Sequence, residues 1–293
     1  MSRTTLRRAR SAVLGVLIPL LTHTVGRLPY GGLRAVARGL AWLLFKTNRR
    51  YRERSASHLE MAFPEATEAE RRAWQKGCFL NASLNAVESL QLMARGAGPL
   101  DKRLTIEGWE NVENESGNRI LLLCCHSGFW EALGVAMMRQ GMPLFAIGRR
   151  PDDPVFGAVV GRVREAVGAE TIERATSGGR RLLRRALKGD GALAILIDQD
   201  TKVDGDWVPF FGRPAHTPLG AAELALRQGM RVVPAFLERR DGGEHAARFL
   251  PALELPEDAV GATAVMTEAI EAHIRRNPEQ WVWWHRRWQR QPE

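Results

Sequence analysis

The stretch LLLCCHSGFWEALG, residues Leu121–Gly134, changes character within a few positions and indicates how the chain folds. Its first five residues are apolar, which is the length and composition of a buried strand. The residues from Glu131 onward have the spacing of a helix that ends near Gly141. A short apolar strand that passes through a turn into a helix is typical of α/β proteins.

The same alternation recurs along the chain. Apolar runs of strand length occur at residues 143–149, 192–198 and 231–239, and helical patterns lie between them. We predict an α/β fold with a central mixed or parallel sheet that is covered by helices on both faces. Ligands of such sheets bind beyond the carboxyl ends of the strands. Because His126 follows one predicted strand and Asp198 closes another, we expect the functional site at this edge.

His126 and Glu131 form a candidate catalytic pair. Positions five apart lie about 140° apart on a helix, so the two side chains meet only if His126 lies in the turn and Glu131 begins the helix. A carboxylate on one imidazole nitrogen would leave the other free to take a proton from a hydroxyl. The spacing also fits a plain helix start capped by Ser127, with Glu131 at the surface. A nucleophilic Ser127 is a weaker alternative because the G-x-S-x-G elbow is absent.

The loop DQDTKVDGDWVPFFGRPAHTPLG, residues Asp198–Gly220, combines acids with an aromatic turn. An Asp-x-Asp pair can coordinate a metal, but no histidine lies at ligand spacing upstream, and we predict no metal site. The WVPFFG segment would give an apolar wall beside polar groups, which suits a long-chain substrate. An ordinary loop with buried aromatic residues is the alternative.

The net charge of +9 is concentrated in the first 54 residues, which hold twelve Lys or Arg and one acid. Two apolar runs, at residues 11–26 and 33–45, are shorter than the roughly 20 residues of a spanning helix. We predict that residues 1–54 are a membrane-associating helical segment lying in the interface. A single uncleaved span, a cleaved signal peptide and a soluble core helix are the alternatives. We expect no nucleic-acid binding, because the basic residues are interleaved with aliphatic rather than stacking aromatic side chains.

The three cysteines point to a reducing compartment. Cys124 and Cys125 are adjacent in an apolar run, Cys78 lies elsewhere, and no C-x-x-C spacing occurs. We therefore expect buried thiols, with neither a disulfide framework nor a zinc site.

Several blocks of the sequence together resemble one family. They are HSGFWE (126–131), ILIDQD (195–200), the long block from VPFFGRP to RRDGG (208–243), PEQWVWWHRRW (278–288) and SASHLEMAFPEATEAER (55–71). Taken in chain order along roughly residues 25–292, these blocks are similar to those of the late acyltransferases of lipid A biosynthesis, the lauroyl and myristoyl transferases. These belong to the lysophospholipid acyltransferase superfamily with its H-x4-D/E motif. The segment SHL, Ser57–Leu59, departs from the pattern, since the family often has RNL there, with Asn at the position of His58.

The resemblance implies a glycerolipid-acyltransferase-like domain over residues 55–293 and an activity. The protein would transfer a fatty acyl chain from acyl carrier protein to a hydroxyl of a lipid A precursor, at the cytoplasmic face of the inner membrane. It would use no cofactor. His126 would be the general base and Glu131 would orient it. Arg164 and Arg150 would bind the oxyanion or a phosphate.

Further site residues follow from the resemblance. Asp198 and Gln199 would have a structural role next to the catalytic residues. The substrate groove would involve Trp130, Phe210, Phe211, Gly212 and Arg213.

Two further hypotheses stay open. In the first, the acceptor is instead a lysophospholipid, an ornithine lipid or another glycolipid. In the second, the protein is a membrane-bound scaffold that binds lipid or carrier protein without catalysis. The tryptophan-rich tail at 281–288 fits either a bilayer interface or packing onto the domain, and we assign no catalytic role to His285.

Overall fold

The computed structural model describes residues 3–113, 119–148, 153–173, 177–189, 191–201, 203–290 and 292. The helices in these ranges are α1 (Arg3–Thr24), α2 (Tyr30–Thr47), α3 (Arg49–Ala62), α4 (Glu68–Arg95), α5 (Gly98–Asp101), α6 (Ala132–Arg139), α7 (Pro154–Ala166), α8 (Ser177–Leu187), α9 (Gly220–Gln228) and α10 (Ala259–Arg276). The strands are β1 (Leu104–Glu107), β2 (Ile120–Cys124), β3 (Leu144–Gly148), β4 (Ala169–Glu173), β5 (Ala192–Leu196), β6 (Gly205–Phe210), β7 (Arg213–Pro218), β8 (Arg231–Arg239) and β9 (His245–Phe249).

Seven strands form the central sheet in the order β1-β9-β8-β2-β5-β3-β4. All neighbouring pairs are parallel except β8 and β9, which are antiparallel. Strands β6 and β7 form a separate antiparallel hairpin. The predicted mixed, mostly parallel sheet is therefore confirmed.

Strand β2 lies in the middle of the sheet, and every one of its residues is buried. Successive side chains of a strand point to opposite faces, so β2 contributes to two separate cores. Leu121 and Leu123 pack in a core with side chains of α8, α9 and α10. Leu122 and Cys124 pack in the other core with side chains of α6 and α7. The prediction of helices on both faces is confirmed, and α7 and α8 lie on opposite faces.

The N-terminal helices pack on the rest of the chain. Leu33 and Ala37 of α2 are fully buried, in one cluster with Leu84 and Val87 of α4. The predicted boundary between residues 54 and 55 falls inside α3. Within the described ranges, no helix has the length and apolar character needed to cross a membrane.

The C-terminal tail packs onto the domain. Trp281 and Trp283 are buried, and Trp284 stacks on Tyr51 with ring centroids 5.7 Å apart. Of the two alternatives for this tail, the structure has the packed one. The three cysteines are free and buried, as expected, and burial raises the pKa of Cys78 to about 12.

The packing of α2 on α4 can be measured by a truncation. We expect Leu33→Ala to lower the free energy of unfolding by about 2–5 kcal/mol, because it removes a fully buried side chain. Val36→Ala on the exposed side of the same helix is the matched control and should change it by less than about 0.5 kcal/mol. Urea unfolding followed by tryptophan fluorescence measures both. Equal small effects would show that α2 is not part of the folded unit.

Candidate active site

The site begins where two adjacent parallel strands end. β2 and β5 pair with Cys124 opposite Leu196, so the residues two positions further, His126 and Asp198, also lie level. The His126 backbone N–H lies 2.8 Å from Asp198 Oδ2, and His126 Nδ1 lies 2.8 Å from Asp198 Oδ1. The indole N–H of Trp281 donates to Asp198 Oδ2 at 2.8 Å. Asp198 therefore fixes both the backbone and the ring of His126.

Asp198 is ionised in this environment. Burial acts to raise the pKa of its carboxyl group, but the charge that His126 can carry and the donated hydrogen bonds outweigh burial and lower the pKa to about 2. A carboxylate on Nδ1 orients the imidazole and stabilises its protonated form. Nε2, which Asp198 does not contact, is then the ring nitrogen available to a substrate. The His126 side chain is 24% exposed, which gives solvent or a ligand access to it.

Glu131 occupies a different place from the one predicted. It is the residue before the first turn of α6, and its Oε1 lies 3.7 Å from Nε of Arg164. The partner of the imidazole Nδ1 is therefore Asp198 and not Glu131, because the strand register brings Asp198 level with His126. Burial raises the pKa of Glu131, although the Arg164 charge acts in the opposite direction. Glu131 is still close enough to act electrostatically on His126.

Two more predicted site residues lie beside this group. The Trp130 ring meets the His126 ring edge-on, with centroids 5.1 Å apart. Arg164 donates from Nη1 to Thr171 Oγ1 at 3.1 Å, while its Nε faces Glu131. Arg150 lies outside the described residues.

The second acid of the DQD motif, Asp200, has a different partner from Asp198. Asp200 accepts a hydrogen bond from Arg290 Nε at 2.8 Å, and Gln199 between the two acids is half-buried. Thr217 lies within β7 and accepts a hydrogen bond from the buried Arg287 at 2.5 Å. Leu219 occupies the N-cap position of α9.

The predicted groove residues of the β6–β7 hairpin pack inward. Phe210 and Phe211 are buried, and the Phe210 ring stacks on Trp288 with centroids 5.6 Å apart. Gly212 takes φ of +69° at the tip of the hairpin, and Arg213 is exposed. The observed contacts of the two phenylalanines are those of a core, and a groove lined by this hairpin stays a prediction.

The chain as a whole is similar to a known protein family. The profile of the family described as bacterial lipid A biosynthesis acyltransferase matches residues 2–290. The chain belongs to this family. It is 26% identical to a lipid A biosynthesis acyltransferase of Haemophilus influenzae over 83% of this chain and 76% of that protein. It is 27% identical to the lipid A biosynthesis lauroyltransferase of Escherichia coli, over 92% of this chain and 89% of that protein. A phosphatidylinositol mannoside acyltransferase of Mycolicibacterium smegmatis is 24% identical over 66% of this chain and 65% of that protein.

In this acyltransferase, a buried network holds the turn that follows His126. The carbonyl oxygen of Gly128 accepts from Asn85 Nδ2 at 2.6 Å and from Asn81 Nδ2 at 3.4 Å. Arg239 orients both amides, since it donates to Asn85 Oδ1 at 2.6 Å and to Asn81 Oδ1 at 3.0 Å. Arg239 in turn pairs with Glu88 at 2.7 Å. We call these four residues, Asn81, Asn85, Glu88 and Arg239, the loop clamp.

The charge of the clamp is balanced inside the protein. Burial acts to raise the pKa of Glu88, but the charges and hydrogen bonds of Arg239 and His245 outweigh burial and lower the pKa to about 2. His245 Nε2 lies 3.0 Å from Glu88 Oε1. A buried carboxylate between a guanidinium and an imidazole keeps its charge without contact with water.

The loop clamp is not apparent from the sequence. Its residues come from α4 and β8, which are far apart in the sequence. One signal was present: α4 has buried polar side chains at helical spacing where an apolar stripe is expected. These residues are Gln75, Asn81, Asn85, Glu88 and Gln91.

Ser127 has a structural place in the same turn. Its side chain is buried, and its backbone forms a bridge to Trp281. The next N–H, that of Gly128, donates to the carbonyl of Gln280 at 3.2 Å. The backbone of the turn is therefore tied to the C-terminal segment, and the Gly128 N–H is not available to an oxyanion.

The turn can pack against β8 only because residue 128 is a glycine and has no side chain. Gly128 has φ of +60°, and a Cβ at this position would lie 2.1 Å from the carbonyl oxygen of Leu237. We expect Gly128→Ala to cost at least about 3 kcal/mol of stability, and to lower acyl transfer about 100-fold by displacing His126.

Gly141 provides the matched control. It also has a positive φ, +68°, but nothing lies within 4 Å of the position of its Cβ. Gly141→Ala should therefore cost about 1 kcal/mol and leave activity unchanged. Thermal unfolding and an acyl-transfer assay measure the two variants. Equal losses in both would show that the close approach to Leu237 does not constrain the turn.

Proposed function

We propose that this acyltransferase moves a fatty acyl chain from the thioester of acyl carrier protein to a hydroxyl group of a lipid A precursor. We place the reaction at the cytoplasmic face of the inner membrane. The observation that carries the proposal is the His126–Asp198 pair, a partly exposed imidazole held by a buried carboxylate. Membership of the family supports the reaction class.

His126 acts as the general base in this proposal. Nε2 takes the proton of the acceptor hydroxyl while the oxygen attacks the thioester carbonyl carbon. Asp198 stabilises the imidazolium that results. When the tetrahedral intermediate collapses, the new carbon–oxygen bond remains, the carbon–sulfur bond breaks, and the proton passes from His126 to the leaving thiolate.

The Glu131–Arg164 pair supplies charge beside the base. Arg164 is mostly buried, and a guanidinium in a site with little water stabilises an oxyanion or a phosphate strongly. Gly148 leaves room for it, since a Cβ there would lie 3.1 Å from Arg164 Nη1. In our proposal Arg164 binds the thioester oxyanion or an acceptor phosphate, and Glu131 holds Arg164 in place.

Another glycolipid acceptor is the second candidate. The similarity to a phosphatidylinositol mannoside acyltransferase favours it, because that relative has a different acceptor named in its description. The chemistry at His126 would be the same for either acceptor, since each offers a sugar hydroxyl.

The N-terminal helices supply the membrane contact in this proposal. α1 exposes Val13, Val16, Leu17, Leu20 and Leu21. On α2, Trp42 is 65% exposed, and the exposed Arg34 and Arg38 lie on the same helix. Exposed aliphatic and indole side chains combined with arginines suit the headgroup region of a bilayer.

The catalytic assignment is tested with the purified protein, acyl carrier protein loaded with a fatty acid, and separate lipid A precursor and mannosylated phosphoinositide acceptors. We expect His126→Ala and Asp198→Asn each to lower kcat by about 10³–10⁴, since the first removes the base and the second its orientation. Asp200→Asn, which removes a carboxylate bonded to Arg290, is the control and should change kcat less than about fivefold.

Mass spectrometry of the lipid product reads one acyl increment and thereby identifies the acceptor. A full rate in Asp198→Asn would refute the assigned pair. Fatty acid release without acceptor, at the rate of transfer, would indicate a hydrolase instead.

Membrane binding is tested by sedimentation with vesicles that contain anionic phospholipid. We expect the double variant Val16→Glu/Leu20→Glu to bind at least about tenfold more weakly, because two side chains lose their burial in the bilayer. Met138→Glu/Val260→Glu changes two exposed apolar residues outside the N-terminal helices and is the control. Equal binding by both double variants would refute the membrane role of α1.

A further inference from the structure

Helix α8 has a basic face and an apolar face on opposite sides. Its positions 181, 184, 185 and 188 follow the three- and four-residue spacing that places side chains on one face of a helix. They are Arg181, Arg184, Arg185 and Lys188, the last just past the end of α8, and all four are exposed. On the opposite side, Leu183, Ala186 and Leu187 pack into the core. We call the four exposed residues the basic face.

Most of this charge is not neutralised within the protein. Arg185 pairs with Glu170 at 2.9 Å. Within the part of the chain that the structure describes, Arg181, Arg184 and Lys188 have no acidic partner. Like charges three and four residues apart on a helix repel each other. An anionic partner would relieve this repulsion.

The chemistry of the basic face favours an acidic protein over a membrane. Helices that bind bilayers combine basic with exposed apolar side chains, as α1 and α2 do. None of the large apolar side chains exposed in the described ranges belongs to α8. Moreover, α1 contacts α7, which lies on the other face of the sheet from α8. The surface with the features of a membrane contact is thus separate from the basic face.

A cavity links the start of α8 to the edge of the sheet at which His126 lies. It has a volume of about 570 Å³, and Gly179, Arg180 and Leu183 of α8 form one side of it. Ile147 of β3 and Ile195 of β5 form part of another side. Ile195 precedes Asp198 by three residues, which is about 10 Å along a strand. A long, flexible thioester arm that enters this cavity beside α8 would have to extend about 10 Å beyond Ile195 to reach the site.

We propose that the basic face of α8 is the docking surface for the acidic carrier protein that delivers the acyl chain. This proposal rests on the proposed function, in that the donor is a carrier-bound thioester. Charge complementarity at such a surface raises the association rate and so lowers KM, while kcat depends on the groups at His126.

The test compares two donors with the same acyl chain, acyl carrier protein thioester and acyl-pantetheine. We expect Arg181→Glu/Arg184→Glu/Lys188→Glu to raise KM for the carrier-bound donor at least about tenfold, with kcat unchanged. KM for acyl-pantetheine should stay within about twofold, because the small donor needs no docking surface. In the wild type, KM for the carrier-bound donor should rise with salt, and the variant should lose much of this dependence.

The control variant is Arg72→Glu/Lys76→Glu/Arg227→Glu, which makes the same change of net charge at exposed positions on α4 and α9. It should leave both KM values unchanged. Circular dichroism and thermal unfolding confirm that both triple variants are folded.

Several outcomes would overturn the docking proposal. An unchanged KM for the carrier-bound donor in the α8 variant would do so, and so would an equal rise for both donors. Weaker binding to anionic vesicles with an unchanged KM would make the basic face a membrane contact. If the wild type transfers from neither donor, the proposed function fails instead. Direct binding of fluorescently labelled acyl carrier protein to the wild type and the α8 variant then decides the docking surface independently of catalysis.

Discussion

The interaction on which the site depends is the buried carboxylate of Asp198 between three nitrogen groups. Two of them belong to His126 and one to Trp281, so a single side chain joins β2, β5 and the C-terminal segment. A buried anion without partners would cost several kcal/mol, and the three hydrogen bonds to Asp198 offset this cost. The tryptophan-rich tail is therefore part of the active site, although it is distant from His126 in the sequence.

The loop clamp constrains the same turn from the other side. Asp198 holds the N–H of His126, whereas Asn85 and Asn81 hold the carbonyl of Gly128 two residues later. The two anchors carry opposite kinds of charge, an anion on the N–H side and Arg239 behind the carbonyl side. The Asp198 carboxylate accepts directly from the backbone N–H of His126. The Arg239 guanidinium acts on the Gly128 carbonyl through the side-chain amide of Asn85. The imidazole is consequently held by rigid elements on both sides of a short turn, as its proposed role as a general base requires.

The sequence allowed some of this to be predicted, and the reason for each success or failure is physical. The apolar runs at β2, β3, β5 and β8 are interior strands of the mostly parallel sheet and are wholly or partly buried, so composition alone revealed them. The edge strand β4 reads AETIE and has no such signal. The prediction that His126 and Asp198 lie at one edge is confirmed, but their direct contact required knowing that β2 and β5 are neighbours, which depends on crossovers that periodicity does not encode. For that reason a partner close in sequence, Glu131, was assigned to a bond that a partner 72 residues away makes.

A net charge summed over many residues can also hide a local charged surface. Beyond residue 54 the chain has slightly more acids than bases. The net charge of the domain therefore does not reveal the basic face of α8. Only the helical spacing of its arginines and the burial of the opposite side separate it from the acids elsewhere. The proposed acyl transfer, from a carrier protein to a lipid, would bring two large partners to one imidazole. In this fold α1 contacts α7 on one face of the sheet, and α8 lies on the opposite face. Two partners bound on opposite faces can therefore reach the same edge without competing for the same surface.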